Sequence, residues 1–331
     1  MHARRLGLVL SFVMLALPAA AQDFYQGRTI TLVVGSAVGG GFDINARMLA
    51  RHLPRHIPGR PDIVVQNLAG AGSLSALRHV ENAAPRDGTH IVSFNFGLIG
   101  ISKLTPAKAP IDFRKLGWIG SISEDLTTCY TWGALGLRTL ADVKARSGLH
   151  FGLAAAGGNE DINARVLRTV LGVPLKQVGG YPGSAQQRLA IERGELDGGC
   201  GSWNSLPEDW VTRRLVNPIY RTGPATSDMP AGLPLVLDLA PGPRERAIIR
   251  LLTAHNELGR PFVTHAAVPA DRLAILRQAF DKAVRDPELL ADAARLRMPV
   301  SPRSAIAALA IVDDIYAAPD DIVSAARQVL E

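Results

Sequence analysis

The feature that most restricts what this chain can fold into is a repeat inside it. GGGFDINARML at 39–49 aligns with GGNEDINARVL at 157–167, with 8 of 11 positions identical at a constant offset of 118, and Leu53 matches Leu171 at the same offset. Each copy follows an apolar run, opens with glycines and passes into a helical pattern. A strand, a glycine loop and a helix start therefore occur twice, which points to two units with the same local geometry. The plainer account is two helix starts with good caps, since Asp is a favoured N-cap and Asp43–Arg47 and Asp161–Arg165 are ordinary i,i+4 pairs. The unbroken DINAR match favours duplicated geometry. Asp43 and Asp161 are expected to act as caps rather than to touch a ligand.

With 331 residues, 47% of them hydrophobic and 20% charged, the chain can fill two cores. Strand-like runs alternate with helical patterns, the mark of an α/β protein with largely parallel sheets. Strands are predicted over 29–35 (TITLVVG), 62–66 and 90–94, with helices over 43–53 and 74–83 between them, giving β-α-β-α-β. After a loop at 103–114 and a strand at 116–122, the same logic repeats with strands at 150–154 and 175–178 and helices at 161–171 and 185–193. Four late helices are predicted at 270–284, 287–297, 305–316 and 321–330, with Asp271 and Asp286 as caps, packing back on the first unit.

Arg4 and Arg5, an apolar run of 12 residues at 6–17, Pro18 and Ala19-Ala20-Ala21 read as a secretory signal peptide cleaved after Ala21. A run of 12 is short for a membrane span, which needs about 20 residues. Removing the leader takes the formal charge from +6 to +4, with the basic residues spread along the chain, so no basic stripe for nucleic acid is present. Export also makes Cys129 and Cys200 a disulfide candidate, two buried thiols being the alternative.

The glycine loops suggest a use. Glycines let a ligand approach the main chain, and the first N–H groups of a helix attract a carboxylate or phosphate. Neither loop is a nucleotide fingerprint: 35–40 misses G-x-G-x-x-G, and no lysine follows the glycines as in a P-loop. His52 and His56 stand i,i+4, but Pro54 should end the helix between them and no carboxylate is near in sequence, so no metal is expected. Glu192, Glu195 and Asp197 read as a charged helix end rather than paired catalytic acids. Trp132, Trp203 and Trp210 read as packing residues, Trp203 being the one to test as a cleft wall. No G-x-S-x-G or H-E-x-x-H occurs, so nothing demands catalysis or a cofactor.

TITLVVG with SAVGGGFD, VVQNLAGAGS at 64–73, GGYPGSAQQRLAIERGELDGG at 179–199 and RPFVTHAAVPADRLAILRQAFDKAVRDPELLADA at 260–293 together resemble the tripartite tricarboxylate transporter substrate-binding proteins, the TctC or Bug family. The resemblance spans nearly the whole mature chain, through the order and spacing of motifs that are individually weak. It implies an α/β, two-domain periplasmic binding protein of Venus-flytrap, type II-like form, with 22–122 and 255–331 as one domain, 123–254 as the other and the second crossover near 254–258. It further implies a monomer that closes on a small carboxylate or amino-acid-like solute and delivers it to a tripartite permease in the membrane. The ligand-binding positions carried over are Val38, Gly39, Gly40, Gly41, Phe42 and Asp43; Gly70, Ala71, Gly72 and Ser73; Ser93 and Asn95; Ala156, Gly157, Gly158, Asn159, Glu160 and Asp161; and Tyr181, Gly183 and Ser184. Backbone amides do much of the holding in that family, in keeping with loops that contain no arginine clamp. The second loop departs from the family in Asn159-Glu160. In the cleft Glu160 would repel a dianion and favour an amine, a hydroxyl-rich acid or a protonated carboxyl; capping a helix or facing solvent, it would say nothing. An exported hydrolase using Ser73 or Ser184 beside a histidine, and a sensory subunit for a membrane kinase, are the alternatives.

Overall fold

The computed structural model describes residues 24–153, 158–181, 184–296 and 298–331. The expected leader and its cleavage site lie outside the described residues. No described helix is long and apolar enough to cross a membrane.

Two sheets organise the chain. The first contains β1 (Thr29–Val34), β2 (Asp62–Asn67), β3 (His90–Ser93) and β4 (Gly117–Ser121) from the early part of the chain, and β10 (Pro261–Thr264) and β11 (Arg303–Ser304) from the late part, in the order β11-β4-β10-β3-β1-β2. The second contains β5 (Thr127–Trp132), β6 (Leu149–Gly152), β7 (Leu175–Val178), β8 (Gly198–Ser202) and β9 (Val216–Arg221), in the order β7-β6-β8-β5-β9. The helices are α1 (Gly41–His52), α2 (Leu74–Asn82), α3 (Gly97–Leu104), α4 (Leu140–Ala145), α5 (Asn159–Arg165), α6 (Ser184–Glu192), α7 (Glu208–Thr212), α8 (Pro243–Thr253), α9 (Ala270–Ala283), α10 (Pro287–Arg295), α11 (Ala305–Tyr316) and α12 (Asp320–Leu330).

The predicted β-α-β-α-β start is present: β1 pairs in parallel with both β2 and β3. The sheets are mixed, however, rather than largely parallel. β10 lies antiparallel between β3 and β4, β11 runs antiparallel to β4, and β5 is antiparallel to both β8 and β9. These strands are places where the chain changes sheet or returns, so they do not close right-handed crossovers. The predicted loop at 103–114 is shortened by α3, and the helix predicted over 161–171 is α5 followed by a π-helical turn at Val166–Val170. Asp286 caps α10, accepting Glu288 N–H at 2.9 Å, whereas Asp271 lies inside the first turn of α9, whose N-cap is Pro269.

Helices α9 and α11 pack on β4, and α10 packs on α1, as predicted for late helices returning to the first unit. α12 does more: it touches α3 and α8 and also α5 and the π turn after it. One apolar cluster thus runs from Val92 and Phe94 of the first sheet through Ile99, Leu252 and Val323 to Leu167 and Phe151 of the second unit.

The chain passes from the first sheet to the second between β4 and β5 and returns just before β10. These two crossovers lie side by side: Asp125 N–H donates to Asn256 O at 2.8 Å and Arg260 N–H to Ser123 O at 3.1 Å. The approach to β11 braces both. Ser301 N–H donates to Ile122 O at 3.0 Å, and the Arg303 guanidinium lies 3.4 Å from Glu124 Oε1 and 3.2 Å from Glu257 Oε2.

Cys129 and Cys200 are joined, facing each other across the antiparallel pair β5–β8. The bridge closes a loop of 71 residues in sequence, for which chain entropy gives a stabilisation of roughly 4 kcal/mol. The Cys129→Ser/Cys200→Ser double variant is expected to unfold at clearly lower denaturant than the oxidised protein. Reductant should lower the midpoint of the parent and leave that of the variant unchanged.

Candidate ligand cleft

A cleft of about 520 Å³ opens where the two sheets present the carboxyl ends of their parallel strands, the usual place for a ligand in open α/β sheets. Phe42, Ala71, Gly72, Asn95 and Phe96 line it from the first unit, Gly158, Asn159 and Ile162 from the second, and Asp125, His255 and Arg260 from the crossovers.

The duplicated motif builds the same device on both sides. In neither copy is the Asp an N-cap: those positions are Gly40 and Gly158, and Asp43 and Asp161 are the third residues of their helices. Both are buried, which the capping expectation did not foresee. Asp43 accepts Gly39 N–H at 2.8 Å, Arg47 Nε at 3.0 Å and the Asn67 amide, from the end of β2, at 2.9 Å. Asp161 accepts Arg165 Nε at 2.7 Å and the Gln177 amide of β7 at 2.9 Å. Asn45 and Asn163 donate back to Gly41 O and Asn159 O at 2.8 and 2.9 Å. The first loop is thereby tied to its own helix and to the neighbouring strand, and in the second copy the helix start is tied to the neighbouring strand. Burial pushes the Asp43 carboxyl upward, but its bonds from Arg47, Gly39 and Asn67 outweigh that and leave it below the usual carboxylate range.

The loop at 70–73 carries four successive positive φ angles: 143° at Gly70, 45° at Ala71, 62° at Gly72 and 85° at Ser73. For Ala71 and Ser73 this is a disfavoured conformation, of the kind that collects at ligand sites. Ser73 locks it, donating to Gly35 O at 2.8 Å and accepting Asn95 N–H at 3.0 Å. Its hydroxyl is therefore engaged in joining three loops of the first unit.

Arg260 supplies a positive charge that was not foreseen for this site. Its guanidinium lies 4.8 Å from the centre of the Phe42 ring, a cation–π distance. A Cβ on Gly41 would stand 3.2 Å from Arg260 Nη2, so glycine at the start of α1 leaves room for the arginine. His255 is buried against Phe96, ring centres 5.6 Å apart, and neither ring nitrogen has a partner. Burial lowers its pKa to about 4, so it is neutral at physiological pH.

The remaining carried-over positions spread more widely. Val38, Gly39 and Gly40 are exposed, Val38 to 72%, and Ser93 is fully buried with its hydroxyl unpartnered. Glu160 is half-buried beside β8, its Oε1 3.7 Å from where a Gly201 Cβ would be, and is not in the cleft wall. Tyr181 packs on the Trp210 cluster. Ala156, Gly157 and Gly183 lie outside the described residues. Trp203 is not a cleft wall: it is buried with Leu126, Met229 and Leu233, and its Nε1 donates to Asp228 at 2.7 Å. His52 and His56 face Asp292 and Asp286 separately, at 3.1 and 2.8 Å. Among the described residues no three His, Cys, Asp or Glu side chains group as a metal site. Glu192 accepts the Trp210 indole N–H and Asp197 the His150 N–H, both structural roles.

No family model matches the chain. In sequence it is 27% identical over 205 residues to a UPF0065 protein from the TAR-I ttuE-ttuC' intergenic region of Agrobacterium vitis, covering 60% of this chain and 58% of that protein. It is 29% identical over 185 residues to Protein BugT of Bordetella pertussis, covering 54% of this chain and 56% of the relative. The matches thus take in somewhat more than half the length of these curated relatives. Among solved structures it superposes on a TctC solute-binding protein from Polaromonas with a TM-score of 0.72 at 17% identity, covering 91% of this chain and 99% of that one. The periplasmic binding protein BugD gives 0.65 at 18% identity, covering 92% and 98%. MatC from Rhodopseudomonas palustris with bound malate gives 0.63 at 17% identity, covering 92% and 99%. This is the fold of the TctC and Bug solute-binding proteins. The sequence resemblance to the TctC/Bug family and the architecture therefore agree, and the arginine and histidine at the cleft floor are features of this chain read from its own geometry.

Two outcomes are expected from these contacts. Asp43→Ala removes the buried acceptor shared by Gly39 N–H, Arg47 and the Asn67 amide and should cost about 1–3 kcal/mol in denaturant unfolding. For His255 the unfolded chain takes up a proton near pH 6.5 and the folded chain only near 4, so stability should fall as pH drops through that window. The His255→Leu variant should lack that component of the slope.

Proposed function

We propose that the protein is an extracytoplasmic receptor that captures a small carboxylate-bearing solute between two domains, 22–122 with 255–331 and 123–254, and hands it to a tripartite tricarboxylate-type permease. The observation that carries this reading is the cleft itself: the starts of the two repeated helices, Phe42 on one side and Gly158 and Asn159 on the other, face it from opposite sheets, each followed by a buried, bonded carboxylate, with Arg260 also in its lining. Small acids suit such a site because main-chain amides and one half-buried guanidinium favour an anion without a metal. Structures of the same fold hold malate and adipate, which supports the solute class. The residues proposed to face the solute are Phe42, Ala71, Gly72, Asn95, Gly158 and Asn159, with Asp43, Ser73 and Asp161 holding the loops. The N-terminal segment is proposed to direct export to the periplasm.

Isothermal titration of the mature protein against organic acids and amino acids is expected to give saturable binding to at least one member. Arg260→Gln should weaken that binding by tenfold or more while leaving the melting temperature of the free protein nearly unchanged. A folded protein that responds to no acid would overturn the receptor reading.

A further inference from the structure

Several polar atoms of residues that line the cleft are buried without a hydrogen-bond partner, namely Asp125 Oδ1, Arg260 Nε and both ring nitrogens of His255, and so are both amide atoms of the adjoining Asn256. All four residues belong to the two crossovers. A buried polar atom left unpaired is costly, and folded proteins rarely gather several in one place. A bound solute that reached them would satisfy them.

Asp125 and Arg260 carry opposite charges and both line the cavity. Asp125 is only 8% exposed. Its Oδ2 has the Asn159 amide at 3.5 Å, and that amide is better placed on Thr127 Oγ1 at 2.6 Å. An ionised carboxylate can only accept hydrogen bonds. A guest group facing Asp125 must therefore present N–H or O–H, because a second bare carboxylate there would set like charges together in a half-enclosed site. Arg260, conversely, can only donate.

We propose that Asp125 is a specificity-determining residue that selects, among carboxylates, those that also bear an amino or hydroxyl group, with Arg260 taking the carboxylate. This rests on the receptor reading above and narrows it: the preferred solutes are amino acids or hydroxy acids rather than plain dicarboxylates. Asn159 belongs to the second copy of the repeat and Asp125 to the first crossover, so the donor group of the solute would be read where the second unit meets the hinge.

The test is titration calorimetry on the mature, disulfide-bonded protein with carbon-matched acids: succinate, malate and aspartate, and adipate with 2-hydroxyadipate and 2-aminoadipate. In at least one series the donor-bearing acid is expected to bind about tenfold or more tightly than its donor-free partner. Asp125→Asn should shrink that ratio to less than about threefold, with the melting temperature monitored to show that the variant is folded. Equal or tighter binding of the donor-free acids by the parent protein overturns the proposal, and needs no variant to be seen. Discrimination that survives in folded Asp125→Asn overturns it as well. Should no acid in either series bind, the receptor reading and this one fall together, a pattern distinct from binding without discrimination.

Discussion

A buried carboxylate at the third residue of a helix is the constraint on which the cleft depends. Asp43 and Asp161 would be expensive inside the protein unless every lone pair were used, and the chain meets that demand with an arginine one turn on and an amide from the next strand. The arrangement binds strand, loop and helix into one rigid corner. In the second copy the described part of this tie, from Arg165 on the helix and Gln177 on the strand, is the same.

The same tie changes the electrostatics expected of a helix N-terminus. Asp43 already accepts Gly39 N–H, so part of the loop's donor capacity is used internally and the carboxylate offsets the partial positive charge of α1. Net attraction for an acid must then come from elsewhere, and Arg260 of the second crossover and Lys108, which both line the cleft, supply it. Neutral His255 adds a donor and an acceptor without adding charge. The site is therefore a hinge-floor site framed by loops as much as a loop site closed by a hinge.

Much of the first unit was legible because its signals are local. The β-branched run at β1 and the periodicity of α1 and α2 lie within windows of a dozen residues, and the DINAR repeat located both loops. The parts that were missed depend on distant partners. β8 reads GGCGS, and its glycines answer to neighbours far away: a Cβ on Gly198 would come within 2.2 Å of Tyr130 O and one on Gly199 within 2.5 Å of Gln187 Nε2. β9 contains Pro218 and β10 begins with Pro261, so neither carries a clean strand pattern, and α3 was hidden by Gly97 and Gly100. Arg260 stands 219 positions after Gly41 and reaches it only because β10 inserts between β3 and β4. Asp125 was equally silent, since nothing in SEDLTT marks an acid whose surroundings are assembled from both crossovers.

One feature of the hinge has mechanical meaning. Arg303 holds Glu124 on one linker and Glu257 on the other, while the residues leading into β11 are stitched to the first linker at Ile122. Two connecting ribbons pinned to a common post cannot twist independently. A shift of either ribbon alone would have to break one of these ion pairs or hydrogen bonds, so the geometry of one linker is tied to that of the other.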